Sequence, residues 1–169
     1  MRKAFTLIEL MISIVILTIL MLFLYKSYAS LNKSNLLLSK EVIKISKIEK
    51  LKKLLYLDIS LTMKDSLSVI HQSKKEDILF FQTTHSIHNN INPYIAYIFK
   101  DKKLYRLESL KKFTEYPLAV DSEFTLDELG RVKTFRVYKS KSILKSIYLV
   151  NILFEDSQEI LLKVKVLNN

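Results

Sequence analysis

The sequence predicts an α+β protein in which one long N-terminal helix packs on an antiparallel β-sheet. An apolar run of helical length opens the chain, and a helical apolar period continues beyond it. In the second half the apolar period shifts to two, which is typical of strands. The chain has 169 residues with one glycine and two prolines, a composition that favours long regular elements.

The first element is the apolar run of residues 5–24. A leader of residues 1–4 with two basic side chains precedes it, and Glu9 is the one charged residue within it. A helix of this length is about 30 Å long, the thickness of the hydrocarbon core of a bilayer. We therefore predict that residues 5–24 form a transmembrane helix.

The second element continues this helix. From residue 25 the chain turns polar on one face, with many lysines, and keeps an apolar stripe on the other. The stripe consists of Leu31, Leu38, Val42, Ile45, Ile48, Leu51, Leu55 and Ile59. We predict one helix to about residue 62, with a globular domain packed on the stripe. Residues 63–73 fit either a helix end or a new segment.

The remaining elements are predicted strands and loops. Strands are expected at 77–83, 94–99, 103–107, 132–139, 146–154 and 159–167. We expect a loop at 84–92, an irregular segment at 111–122 and a turn at 127–130, where Gly130 can take a positive φ. Alternation in the last strand predicts a sheet with one face on the helix and one in water.

The start of the chain resembles the class III signal of type IV pilins and type II secretion pseudopilins, in the stretch Lys3-Ala4-Phe5-Thr6-Leu7-Ile8-Glu9. The resemblance implies that prepilin peptidase cleaves between Ala4 and Phe5 and methylates the new amino terminus on Phe5. The family usually has glycine before the cut, and Ala4 is another small residue. Glu9 matches the family's glutamate.

The resemblance also implies location and partners. It makes the chain a single-pass protein of the cytoplasmic membrane with residues 25–169 as an extracytoplasmic, pilin-like domain. Its partners would be other pilin or pseudopilin subunits. The order of elements is similar to that of J-type minor pseudopilins, and the absence of cysteine favours a minor role.

Glu9 has two interpretations. A carboxylate in a membrane helix costs a few kcal/mol and usually has a partner. The free amine of Phe5 on a neighbouring subunit would supply one and would fix the axial register of stacked subunits. Alternatively, Glu9 lies at the headgroup interface. The flanking motif favours pairing with Phe5.

The predicted function is structural. We expect a minor subunit of a type IV pilus or type II secretion pseudopilus that assembles through its helix and supports secretion, DNA uptake, adhesion or motility. Two alternatives are an uncleaved, signal-anchored extracytoplasmic binding domain and a DNA-binding competence pilin. No enzymatic motif or cofactor-binding motif is present, and we expect no enzyme and no cofactor.

Four weaker patterns remain. His85 and His88 offer two ligands where zinc needs three or four, and the acidic residues around Asp127 lack calcium-loop spacing. The net charge of +10 comes mostly from dispersed lysines, which indicates a solvated surface.

Aromatic and basic residues alternate at 94–106, where Arg106 and Lys103 are candidates for nucleic-acid contact. Alternate aromatic residues in a hairpin, however, more often belong to a hydrophobic core. Nucleic acid is therefore the less favoured partner.

Overall fold

The computed structural model describes residues 6–118, 123–140 and 146–167. These described residues form one helix, α1, followed by seven strands. The elements are α1 Leu7–Ser60, β1 Ser68–His71, β2 Asp77–Gln82, β3 Tyr94–Lys100, β4 Lys103–Ser109, β5 Thr125–Lys139, β6 Ile147–Phe154 and β7 Glu159–Lys165. All strands pair antiparallel in sequence order within one curled sheet, which confirms the predicted fold class.

The chain divides into two compact units, Met1–Lys47 and Ile48–Asn169. In the described part of the first unit, α1 exposes nearly every side chain, and its apolar part is long enough to cross a membrane. The predicted apolar stripe is partly wrong as a packing surface, because Leu31, Leu38 and Ile45 are more than half exposed. These residues have no packed partner in the described chain because the stripe meets the sheet only from residue 48 onward.

The second unit buries the last turns of α1. Leu55 and Ile59 are fully buried in the main core, and Leu51 is 7% exposed. This core also takes the inward side chains of β2 to β7, among them Phe135 and Ile152. The C-terminal turns of the helix therefore form the surface on which the sheet packs.

The predicted turn at Asp127–Gly130 is wrong. These residues lie inside β5, which pairs with β4 through its first half and with β6 through its second. The register of β4 with β5 shifts between Leu104 and Tyr105, and Gly130 takes a φ of +132° at this irregularity. A bulge absorbs the extra residue and increases local twist, so β5 continues from one part of the sheet to the next.

The outer face of β2, β3 and β4 is covered, contrary to the expectation of a water-exposed face. Phe113 packs there against Phe80, with ring centroids 5.8 Å apart, and Tyr116 and Leu118 add to the cover. This explains why β2 has five consecutive buried residues rather than alternation. The irregular segment after β4 thus forms a second, smaller core.

Two connections refine the prediction. The ambiguous segment 63–73 contains the short strand β1, paired with β2. The predicted hairpin of β3 and β4 is confirmed, and its turn residues Asp101 and Lys102 both take positive φ. Two such residues match the turn geometry whose twist fits a two-residue hairpin.

Candidate functional site

The N-terminal turn of α1 is closed by Thr6 and Glu9. The Thr6 backbone N–H donates to Glu9 Oε2 at 2.9 Å, and the Thr6 hydroxyl donates to the same oxygen at 2.8 Å. The Glu9 N–H in turn approaches the Thr6 hydroxyl at 3.4 Å. This reciprocal arrangement is a capping box, which satisfies backbone donors that a helix start otherwise leaves open.

The capping box gives Glu9 a local partner that was not predicted from the sequence, although Thr-x-x-Glu is the known signature of such a box. Both bonds from Thr6 use one carboxylate oxygen, and an ionised carboxylate has about four acceptor positions. The capped Glu9 carboxylate can therefore accept a hydrogen bond from a further donor. Ala4 and Phe5, the predicted cleavage and methylation residues, lie outside the described residues.

Polar side chains further along the membrane segment are bonded within the helix. The Ser13 hydroxyl donates to the Glu9 carbonyl at 2.8 Å, and the Thr18 hydroxyl donates to the Ile14 carbonyl at 2.8 Å. In hydrocarbon an unbonded hydroxyl is costly, so these i to i−4 bonds make both residues compatible with lipid. Glu9 is the one charged residue between Thr6 and Leu24.

The second unit contains a buried ionic cluster around Arg106. The Arg106 guanidinium donates to Asp58 Oδ2 at 2.7 Å and to Glu108 Oε2 at 2.7 Å. All three side chains are at most 1% exposed. Asp58 also accepts a bond of 2.7 Å from the Tyr97 hydroxyl. The cluster joins the end of α1 to β3 and β4.

The charges of this cluster support one another. Burial acts to lower the pKa of Arg106, but hydrogen bonding and the charge of Asp58 raise it overall. Burial, together with the Asp58 charge, raises the pKa of Tyr97 well above its usual value. Burial acts to raise the pKa of Glu108, but bonds from Ser86, Arg106 and Asn90 outweigh it and lower the pKa. The ionised forms are therefore the stable forms of Arg106 and Glu108.

The same cluster fixes the loop 84–92. His85 Nδ1 lies 2.5 Å from Asp58 Oδ1, and the Ser86 hydroxyl donates to Glu108. Asn90 Nδ2 donates to Glu108 Oε1 at 2.9 Å. This arrangement was not predicted from the sequence. The available signal was Asp58, a single acidic residue in the apolar stripe of the helix.

The two histidines of the loop serve different carboxylates. His88 Nε2 lies 2.9 Å from Asp127 Oδ2, whereas His85 contacts Asp58. Within the described residues, no group of three or more potential ligands is placed to hold a metal ion. The acidic residues are also separated: Glu123 pairs with Lys111, and Glu128 pairs with Lys103. Asp121 lies outside the described residues.

The aromatic and basic hairpin is not a continuous surface. Tyr97 and Arg106 are fully buried, so Arg106 is unavailable for the nucleic-acid contact suggested by its position in the sequence. Lys103 binds Glu128 at 2.8 Å. Arg106 is buried because it faces Asp58, which lies 48 positions away in the sequence. No local sequence pattern indicates that these two residues are close together.

Comparison with known proteins bears on the first unit. Residues 1–25 match the prokaryotic N-terminal methylation motif, which is the class III prepilin signal of type IV pilins and pseudopilins. No curated protein and no solved structure matches the chain. The match and the apolar helix together support a prepilin-like, membrane-anchored protein.

Proposed function

We propose that the chain is a minor subunit of a type IV pilus or type II secretion pseudopilus. The observation that carries the proposal is the prepilin signal at residues 1–25, joined to an exposed apolar helix with one carboxylate. Prepilin peptidase cleaves between Ala4 and Phe5 and methylates Phe5. The role is structural rather than enzymatic, in support of secretion, DNA uptake, adhesion or motility.

The mechanism is assembly by helix packing. The apolar side chains of α1 first face lipid and then face the equivalent helices of other subunits. The Glu9 carboxylate accepts a hydrogen bond from the Phe5 amine of a neighbouring subunit. Its hydrogen bonds from Thr6 hold the carboxylate at the helix start. An ion pair in a low-dielectric setting is geometrically selective, so it fixes the axial register of neighbouring subunits.

The proposed topology is the one that the resemblance to prepilins implies. The leader of residues 1–4 lies at the cytoplasmic face, and residues 25–169 lie outside the cytoplasmic membrane. The second unit then supplies the surface that is exposed on the filament. Within the described residues, both of its hydrophobic cores draw on residues from 48 onward.

An incorporation experiment tests the assembly mechanism. Glu9→Ala is expected to leave the second unit folded and to abolish co-purification with filament subunits from native membranes. The matched control is Glu41→Ala, which removes an exposed carboxylate further along the same helix and should keep incorporation normal. Equal incorporation of both variants would contradict the role assigned to Glu9.

A further inference from the structure

We propose that the outer edge of β7 binds an extended segment of a partner subunit that carries acidic side chains, which adds one strand to the sheet. β7 is the last strand in the sheet order, and no described strand lies beyond it. The proposal extends the proposed function, because it names the chemistry of the partner. The binding chemistry itself does not depend on processing at Ala4.

The hydrogen-bond ladder shows which groups of β7 face outward. The Val166 N–H donates to the Ser146 carbonyl at 3.0 Å, and the Phe154 N–H donates to the Gln158 carbonyl at 2.8 Å. Bonded pairs alternate along an antiparallel ladder. The backbone groups of Leu161, Lys163 and Lys165 therefore point away from β6 and form a row of donors and acceptors. The next outward N–H, that of Leu167, donates to the Ser60 carbonyl at 2.9 Å, so the row ends at Lys165.

This edge is suited to strand addition. The β6–β7 register runs without interruption from Ile147↔Lys165 to Leu153↔Glu159, whereas β5 contains two irregularities. The opposite edge of the sheet, β1, has four residues, against seven in β7. A long, regular edge strand is a template for pairing, and lysines on such an edge act against pairing with strands that do not neutralise them.

Charge selects the partner. Leu161 is 62% exposed, and Lys163 and Lys165 are exposed on the same face. Opposite charges across a strand pair stabilise it, and like charges destabilise it. A second copy of β7, paired antiparallel about Leu162, would set Glu159 against Lys165 but Leu161 against Lys163, so it would not neutralise the whole row. An incoming strand with carboxylates opposite Lys163 and Lys165 would do so.

Designed peptides test this edge without knowledge of the native partner. The probe is acetyl-Glu-Thr-Glu-Thr-Val-Thr-Thr-amide, and its control has lysine in place of both glutamates. Binding is measured by NMR on the full chain in detergent micelles. We expect the acidic peptide to bind about tenfold more tightly and to slow amide exchange at Leu161, Lys163 and Lys165.

Variants separate charge from backbone pairing. The double variant Lys163→Glu, Lys165→Glu should invert the preference between the peptides. Lys163→Pro removes an outward N–H, so it should bind the acidic peptide about tenfold more weakly than Lys163→Ala, which removes the same charge. Unchanged amide exchange, equal affinity for both peptides or a β7-paired dimer of the free chain would overturn the proposal. None of these readouts depends on cleavage or methylation.

Discussion

Two parts of one helix behave in opposite ways. Leu38 and Leu55 belong to the same apolar stripe of α1, yet Leu38 is 61% exposed and Leu55 is fully buried. The acidic residues differ likewise, since Glu9 bonds to Thr6 at the exposed helix start and Asp58 lies inside an ionic cluster. The second unit satisfies its apolar and charged groups within the chain, whereas the first leaves an apolar surface for lipid or other subunits.

The largest expected effect that distinguishes the two units comes from the buried Arg106 guanidinium. Arg106→Met leaves Asp58 and Glu108 as buried carboxylates without their cation, which should cost about 3–5 kcal/mol of unfolding free energy. Urea denaturation of the full chain in micelles, followed by near-UV circular dichroism, measures the loss. Lys103→Met, on the same strand but partly exposed, is the control and should cost less than about 1 kcal/mol.

Comparable losses for the two variants would show that the Arg106 cluster is not a buried network in solution. In that case the difference between the units would rest on apolar packing alone.

The leucines of the stripe provide the next test. Leu55→Ala should lower the unfolding free energy by about 2–5 kcal/mol because it removes fully buried methyl groups and leaves a cavity. Leu38→Ala should change it by less than about 0.5 kcal/mol because that side chain is exposed. The same urea titration serves both variants, and a large loss from Leu38→Ala would mean that residue 38 packs within the chain.

The smallest predicted effect is a pH dependence at Glu108. Its pKa is lowered in the folded chain, so its stabilisation is present above its ordinary pKa of 4.5 and is lost as the pH falls through the lower, folded value. The stability difference between the native chain and Glu108→Gln should therefore shrink below pH 4.5. Paired urea titrations at pH 7 and pH 3.5 measure it.

The exposed Glu123 provides the control for this titration. Glu123→Gln, which changes an exposed side chain, should alter the unfolding free energy by less than about 0.5 kcal/mol. A Glu108→Gln difference that stays constant with pH would indicate that the carboxylate is not held in its ionised form by the fold.

The sequence was informative where the pattern is local. The helix, six of the seven described strands and the β3–β4 and β6–β7 hairpins follow from the periods of apolar residues and from the turns between them. Gly130 was correctly expected to have a positive φ, but it serves a bulge rather than a turn. A glycine marks unusual backbone and does not specify which irregular structure uses it.

The distant contacts could not be predicted. Arg106 meets Asp58 because the sheet brings β4 over the end of α1, and Phe113 covers β2 because the chain folds back after β4. Both depend on the tertiary path of the chain rather than on neighbours in sequence. The capping box of Thr6 and Glu9 was local and could have been recognised from the spacing of the two residues.

The first unit is proposed to be processed for assembly. The direct test of this processing is the N-terminal sequence and intact mass of the protein from native membranes, with and without prepilin peptidase. We predict a chain that begins at methylated Phe5 when the peptidase is present and at Met1 when it is absent. A chain that begins at Met1 in both strains would contradict this prediction and would make residues 1–24 an uncleaved anchor.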